Sequence, residues 1–235
     1  MWDGPEEEHS AVRRAAEVLD RFNARHPWNH NDHFHGWILR RLPFRPAGHH
    51  LRVLDVGCGE GELVARLRGR SAVVVGIDDD AGMAQASAAR FAGDTGVRIE
   101  HLDFMEVTEM FDVVTMVASL HHMPLEDALL RASRLLTPGG RLLVVGLARA
   151  GSSREFAVDT VSALANPLMG LAKHPRPVTS RDQEAAPADD PGMPVHDPAE
   201  TYGEVAATAA RVLAGSRFRQ RLWFRYTLEW TKPVG

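Results

Sequence analysis

Val53-Leu54-Asp55-Val56-Gly57-Cys58-Gly59-Glu60-Gly61 is the stretch that decides how this 235-residue chain folds. The apolar residues Val53, Leu54 and Val56 suit a buried strand. Glycine at every second position then lets the backbone turn with nothing projecting into the bend. The apolar spacing of Leu63, Val64 and Leu67 reads as a helix. A strand, a glycine turn and a helix start bring main-chain N–H groups and a positive helix end up to a ligand. Taken alone, the glycines equally fit a plain strand–helix turn. The dinucleotide pattern G-x-G-x-x-G is not met, because position 62 is Glu62. The pattern present is D-x-G-x-G-x-G, beginning at Asp55.

Four further landmarks follow. Ala72–Ile77 is an apolar run ending at Asp78, and Val97–Leu102 leads to Asp103-Phe104. Phe111–Val117 leads into Ala118-Ser119-Leu120-His121-His122, and Leu135–Val145 contains the turn residues Pro138-Gly139-Gly140. In order and spacing, residues 51–147 resemble the class I S-adenosylmethionine-dependent methyltransferases. The resemblance implies S-adenosylmethionine as cofactor and assigns roles by position. Asp55 organises the glycine turn and helps hold the cofactor's amino group, with Gly57, Cys58 and Gly59 lining the loop. Asp78 accepts the two ribose hydroxyls, and Met83 lies on the adenine. Asp103 and Phe104 read the adenine amino group and ring edge, and Ala118 completes the cofactor-binding set. Asp79 departs from the family, which commonly has an aliphatic residue there; it either accepts a bond from ribose or faces water. Asp80 sits where a helix cap is expected. Cys58 is read as a small side chain filling tight space.

Methyl transfer is an in-line displacement, so positioning is much of the protein's task. His121 and His122 fall after the fourth strand, where methyl group and acceptor meet in this family. Imidazole titrates near neutrality and can take a proton from a hydroxyl, phenol or ammonium. The competing reading is a histidine that closes the strand end and packs on the cofactor's methionine tail. Side chains alternate at a strand end, so one of the pair is expected to face the acceptor. Similar small-molecule O-methyltransferases can carry an Asp at the end of strand five to orient such a histidine; the matching position here is Gly146.

Ahead of the core, His26-Pro27-Trp28-Asn29-His30-Asn31-Asp32-His33-Phe34-His35-Gly36-Trp37 concentrates histidine and tryptophan. Trp28, His30, His33 and Trp37, with Met169, are candidate substrate-binding residues; packing within a helical cap is the plainer alternative. No nearby Cys and no His-x-x-x-His with an acidic partner supports a metal, and none is expected.

A formal charge of −4 argues against a nucleic-acid partner. A single cysteine excludes an internal disulfide and fits a reducing, cytoplasmic setting. No apolar stretch approaches the ~18 residues of a membrane span. Residues 6–24 read as an amphipathic helix, a second helix is expected from Asp32 to Leu42, and another from Asp127 to Leu136. Phe156–Leu171 reads as a helix interrupted at Pro167, and 174–198 as irregular, Pro/Asp-rich chain. Glu200–Leu213 is expected to be helical. Phe218–Leu222 and Trp223–Trp230 are expected as the last two strands, with Arg217, Arg219, Arg221 and Arg225 on a solvated face.

The expected fold is α/β, a doubly wound, mostly parallel seven-stranded Rossmann-like sheet. Residues 1–47 form an N-terminal helical cap, and 48–235 the main domain, with a lid insertion at 149–200. The expected activity is methyl transfer to a small molecule in specialised metabolism. An RNA or protein methyltransferase, and a protein that binds the cofactor without transfer, are the alternatives.

Overall fold

The computed structural model describes residues 30–44, 51–70, 73–173 and 198–234. The expected helix at 6–24, Trp28 and nearly all of the 174–198 segment lie outside them. The chain divides into two units. One holds His30–Phe156 and His196–Gly235, the other Met1–Asn29 and Ala157–Val195.

The first unit is built on a seven-stranded sheet in the order β3-β2-β1-β4-β5-β7-β6. The strands are β1 (Arg52–Val56), β2 (Val73–Asp78), β3 (Val97–His101), β4 (Phe111–Val117), β5 (Leu136–Gly146), β6 (Arg217–Gln220) and β7 (Tyr226–Thr231). The first five run parallel, and β7 lies antiparallel to both β5 and β6. Both faces are covered, which is why the central strands read as continuous apolar runs. The helices are α1 (His30–Leu39), α2 (Glu62–Arg68), α3 (Ala81–Arg90), α4 (Leu125–Leu135), α5 (Ser153–Lys173) and α6 (Tyr202–Val212).

Alternation along the strands sorts the core. Leu54, Val56, Val114, Met116, Leu142, Val144 and Leu228 pack with Ala128, Leu129 and Ala132 of α4 and Val205 and Ala209 of α6. The intervening residues Val53, Val113, Leu143 and Val145 are also fully buried, on the face where α1 packs against α2 and β5. Helix α1 turns Phe34, His35, Trp37 and Ile38 inward, a helical i, i+3, i+4 stripe. Helix α6 opens on a reciprocal cap: Thr201 accepts from Glu204 N–H while the Glu204 carboxylate accepts from Thr201 N–H at 2.7 Å.

Three expectations need correction. Helix α1 spans His30–Leu39 rather than the expected Asp32–Leu42. Pro138-Gly139-Gly140 does not make a separate turn ahead of β5, because α4 ends at Leu135 and β5 begins at Leu136. The glycines are absorbed as an irregular start to that strand, bonded to the chain end by Gly139 N–H to Lys232 C=O and Lys232 N–H to Gly140 C=O. Helix α5 continues through Pro167. A proline removes one i→i−4 bond, and the turns on either side keep theirs. Most of α5 belongs to the second unit and is its described part.

Candidate active site

Strand order reverses between β1 and β4, because the chain leaves β1 toward β2 and β3 and returns as β4. In open α/β sheets the crevice beyond the carboxyl ends of such a strand pair takes the ligand. The glycine loop after β1 and the Ala118–His122 segment after β4 border this crevice.

The glycines do different work. Gly57 has φ 68°, and a Cβ there would stand 2.6 Å from the Cβ of Ser119. The Ser119 hydroxyl in turn donates to Val56 C=O at 2.7 Å, so the two loops interlock at the switch point. Gly59 has φ 51°, and a Cβ there would meet nothing within 4 Å. That is the open side of the loop, where main chain alone faces a ligand.

Asp78 ends β2 and braces the loop. One carboxylate oxygen accepts Gly59 N–H at 2.8 Å and the other accepts Asp80 N–H at 3.0 Å. Each oxygen keeps further lone-pair capacity, which suits it to accept from a ribose diol. Burial pushes its carboxyl above the ordinary value, against the pull of those two N–H bonds. Asp80 is the helix cap the sequence suggests, accepting Met83 N–H at 2.9 Å. Asp79 is exposed, and Met83 is half-buried at the start of α3.

Asp55 is almost wholly buried on β1, and burial raises its carboxyl to about 7. Thr115, its register partner on β4, donates to it at 2.7 Å. Cys58 turns its thiol toward Gly76 in the interior, and burial raises that thiol to about 12, so it is a filler and no nucleophile at neutral pH. Asp103 caps a short turn, accepting Met105 N–H at 2.7 Å. The Phe104 ring lies in the core, so what this residue offers a ligand is main chain.

Ala118, with φ 56°, is one of three non-glycine residues in left-handed conformation among the described residues; the others are Trp223 and Phe224. Such backbone costs about 1–3 kcal/mol per residue and collects at ligand sites. His121 and His122 follow on a single 3₁₀ turn, Leu120–His122. The expected alternation does not hold there, because a 3₁₀ turn sets successive side chains about 120° apart rather than opposed. Their rings lie 4.0 Å apart between centroids, tilted by 41°. His121 is half-buried and His122 exposed.

The remaining candidates are spread more widely. On α1, His30 is half-buried, and the exposed His33 meets Trp223 edge-on at 6.4 Å. Trp37 is buried, with the Arg41 guanidinium 4.4 Å over its ring, packing at the end of α1. Met169 is a half-buried residue of α5, in the second unit. Gly146 has no room for the orienting acid seen in some relatives, because a Cβ there would come within 2.2 Å of the Tyr226 ring. Sequence reasoning missed Ser119, Thr115 and Tyr226. Of these, Thr115 carried a signal, a polar residue inside an apolar strand.

Comparison with known proteins agrees with this geometry. Residues 54–144 match the family model described as a methyltransferase domain. An uncharacterised methyltransferase of Mycobacterium bovis is 33% identical over 214 residues, covering 88% of this chain and 98% of its own length. The chain is a class I S-adenosylmethionine-dependent methyltransferase. A ubiquinone biosynthesis O-methyltransferase of Pseudomonas fluorescens is 35% identical over 130 residues, 52% of this chain and 53% of that protein. Among solved structures, magnesium protoporphyrin IX methyltransferase from Synechocystis with bound S-adenosylhomocysteine shares the fold. Its TM-score is 0.53 at 16% identity, covering 86% of this chain and 81% of that one. The open face at Gly59 and the doubly braced Asp78 fit the methyltransferase cofactor, S-adenosylmethionine. No helix among the described residues is long and apolar enough to cross a membrane.

Proposed function

We propose that this methyltransferase acts on a small molecule in specialised metabolism, with His121 as the base that relieves the acceptor of its proton. The observation that carries the assignment is His121 itself. It is half-buried on the turn after strained Ala118, beside the switch-point crevice, with a second imidazole 4.0 Å away and tilted against it. The similarity to an O-methyltransferase of ubiquinone biosynthesis supports the substrate class. When bound, the cofactor supplies an electrophilic methyl on sulfonium sulfur. The protein's part is to hold the acceptor within about 3–3.5 Å of that methyl and to accept its proton as the new bond forms. Of the candidate residues, Asp78, Asp103 and the Gly57–Gly59 main chain hold the adenosine. Asp79 faces water.

The test is turnover with a panel of phenols, phenolic acids and amines, followed by S-adenosylhomocysteine release. His121→Ala is expected to lower kcat by about 10²–10⁴-fold while cofactor affinity stays within a few-fold, and His122→Ala to do much less. Equal, minor losses in both variants would leave positioning as the whole mechanism. Activity on RNA or protein alone would refute the small-molecule assignment.

A further inference from the structure

The tip of the last hairpin, residues 221–225, lies at the same edge of the sheet as the crevice, since Tyr226 pairs with Gly146 at the carboxyl end of β5. β7 is two strands from β4, about 10 Å across the sheet. Trp223 and Phe224 are consecutive bulky residues at φ 66° and 56°. Aromatic side chains rarely adopt this conformation, and never cheaply in tandem. The tip aims Arg225 at helix α1, where its Nε and Nη2 donate to Asn31 Oδ1 at 3.2 and 3.0 Å. Its Nη1 makes only a long contact of 3.4 Å to Phe224 C=O.

Arg225 is half-buried, and no carboxylate among the described residues pairs with it. Its neighbour Arg221 is in the same position, bonded to Thr227 Oγ1 at 2.9 Å. By contrast, Arg41 on the same face has Glu229 at 2.9 Å. Burial lowers the Arg225 guanidinium to about 10, which agrees with a cation that lacks a counter-charge. A cation held out of water by an amide and a carbonyl is costly unless an anion completes it. The geometry also leaves the Nη1–Nη2 edge of the fork directed away from Asn31, and that edge matches two oxygens of one oxyanion.

We infer that Arg225, aligned by Asn31 and the strained Trp223–Phe224 tip, is a specificity-determining residue that receives a carboxylate of the acceptor. The inference rests on the small-molecule methyltransferase reading above and names its substrate class: an acid whose methylated atom lies roughly two strand spacings, about 10 Å, from its carboxylate. The exposed His33 ring, held edge-on against the buried Phe34 and Trp223, borders this part of α1 and the hairpin tip.

Calorimetry on the full chain saturated with S-adenosylhomocysteine tests this with benzoate and benzamide, which share shape and differ in charge; phenyl phosphate distinguishes a phosphate site. Benzoate is expected to bind at least tenfold tighter than benzamide and tighter than phenyl phosphate. Arg225→Gln is expected to abolish that preference, Arg225→Lys to keep part of it, and both to bind the cofactor within twofold of wild type. Asn31→Ala is expected to weaken benzoate several-fold, and it serves should Arg225→Gln fail to fold. The inference falls if wild type binds no benzoate, binds benzamide equally well, prefers phenyl phosphate, or if Arg225→Gln keeps the preference. If S-adenosylhomocysteine itself fails to bind wild type, the methyltransferase reading falls instead.

Discussion

The two halves of the sheet's carboxyl edge are made of different material. Around β1 and β2 the contacts are main chain: glycines in left-handed turns, N–H groups on Asp78, a helix cap at Asp80. Around β4, β5 and β7 they are side chains brought from far apart, such as Ser119 on Gly57, Tyr226 on Gly146 and Arg225 on Asn31. A main-chain cradle fits one invariant ligand and is hard to alter without breaking the turn. A side-chain wall can be rebuilt residue by residue, which is how one fold serves many acceptors.

The sharpest way to break this contrast is within the glycine loop. Gly57→Ala is expected to cost about 2–4 kcal/mol of stability, since it adds an overpacking clash with Ser119 to left-handed strain. Gly59→Ala should cost stability only about 1–2 kcal/mol and act instead on cofactor affinity, because its Cβ would enter the open side. Chemical denaturation and calorimetry on both variants read the difference; equal stability losses would show that the loop is a uniform turn. Next in size, Asp78→Ala removes an acceptor of two N–H groups and is expected to weaken S-adenosylmethionine binding by about 1.5–3 kcal/mol. Unchanged affinity in calorimetry would take Asp78 out of the site.

A further test is one of pH. Burial raises Asp55 to about 7, above the ordinary carboxylate value, so the folded chain holds this proton more tightly than the unfolded one. Asp55 therefore costs nothing below the unfolded value. Its penalty grows as pH rises from about 4 to about 7, by at most about 1.4 kcal/mol per pH unit. Asp55→Asn should gain stability over wild type across that window, in melts without cofactor. A difference independent of pH would mean that Asp55 is charged throughout.

The same contrast explains what could be read from the sequence. Gly57, Gly59, Asp78 and Asp80 take their places from turn and cap geometry between β1 and α3, so spacing suffices to place them; Asp55 also depends on Thr115, 60 residues on. The parallel part of the sheet and the existence of two final strands follow from the alternation of apolar runs, helices and turn residues. The β4, β5 and β7 side depends on pairs distant in sequence, and alternation misleads there. Arg217, Arg219, Arg221 and Arg225 look like one solvated face. In the structure only Arg217 and Arg219 are exposed, because β6 ends at Gln220 and the tip residues leave the strand's alternation. For His121 and His122, too, strand alternation does not apply, because they lie on a 3₁₀ turn. Tyr226 against Gly146 was not readable at all, since nothing local marks which ring will lie on which glycine.

Helix α1 is fastened to the last hairpin by Asn31–Arg225 and by Arg41–Glu229, pairs separated by 194 and 188 positions. The clasp closes almost the whole described chain into one loop, and contacts of such separation form late. On the ribosome, β1 through β5 emerge while the partner of α1 is still unmade. The loop between β1 and β2 can thus take shape on a nascent chain before residues 217–231, which clasp α1, have been made. Protein synthesis itself sets the order in which the two halves come into being.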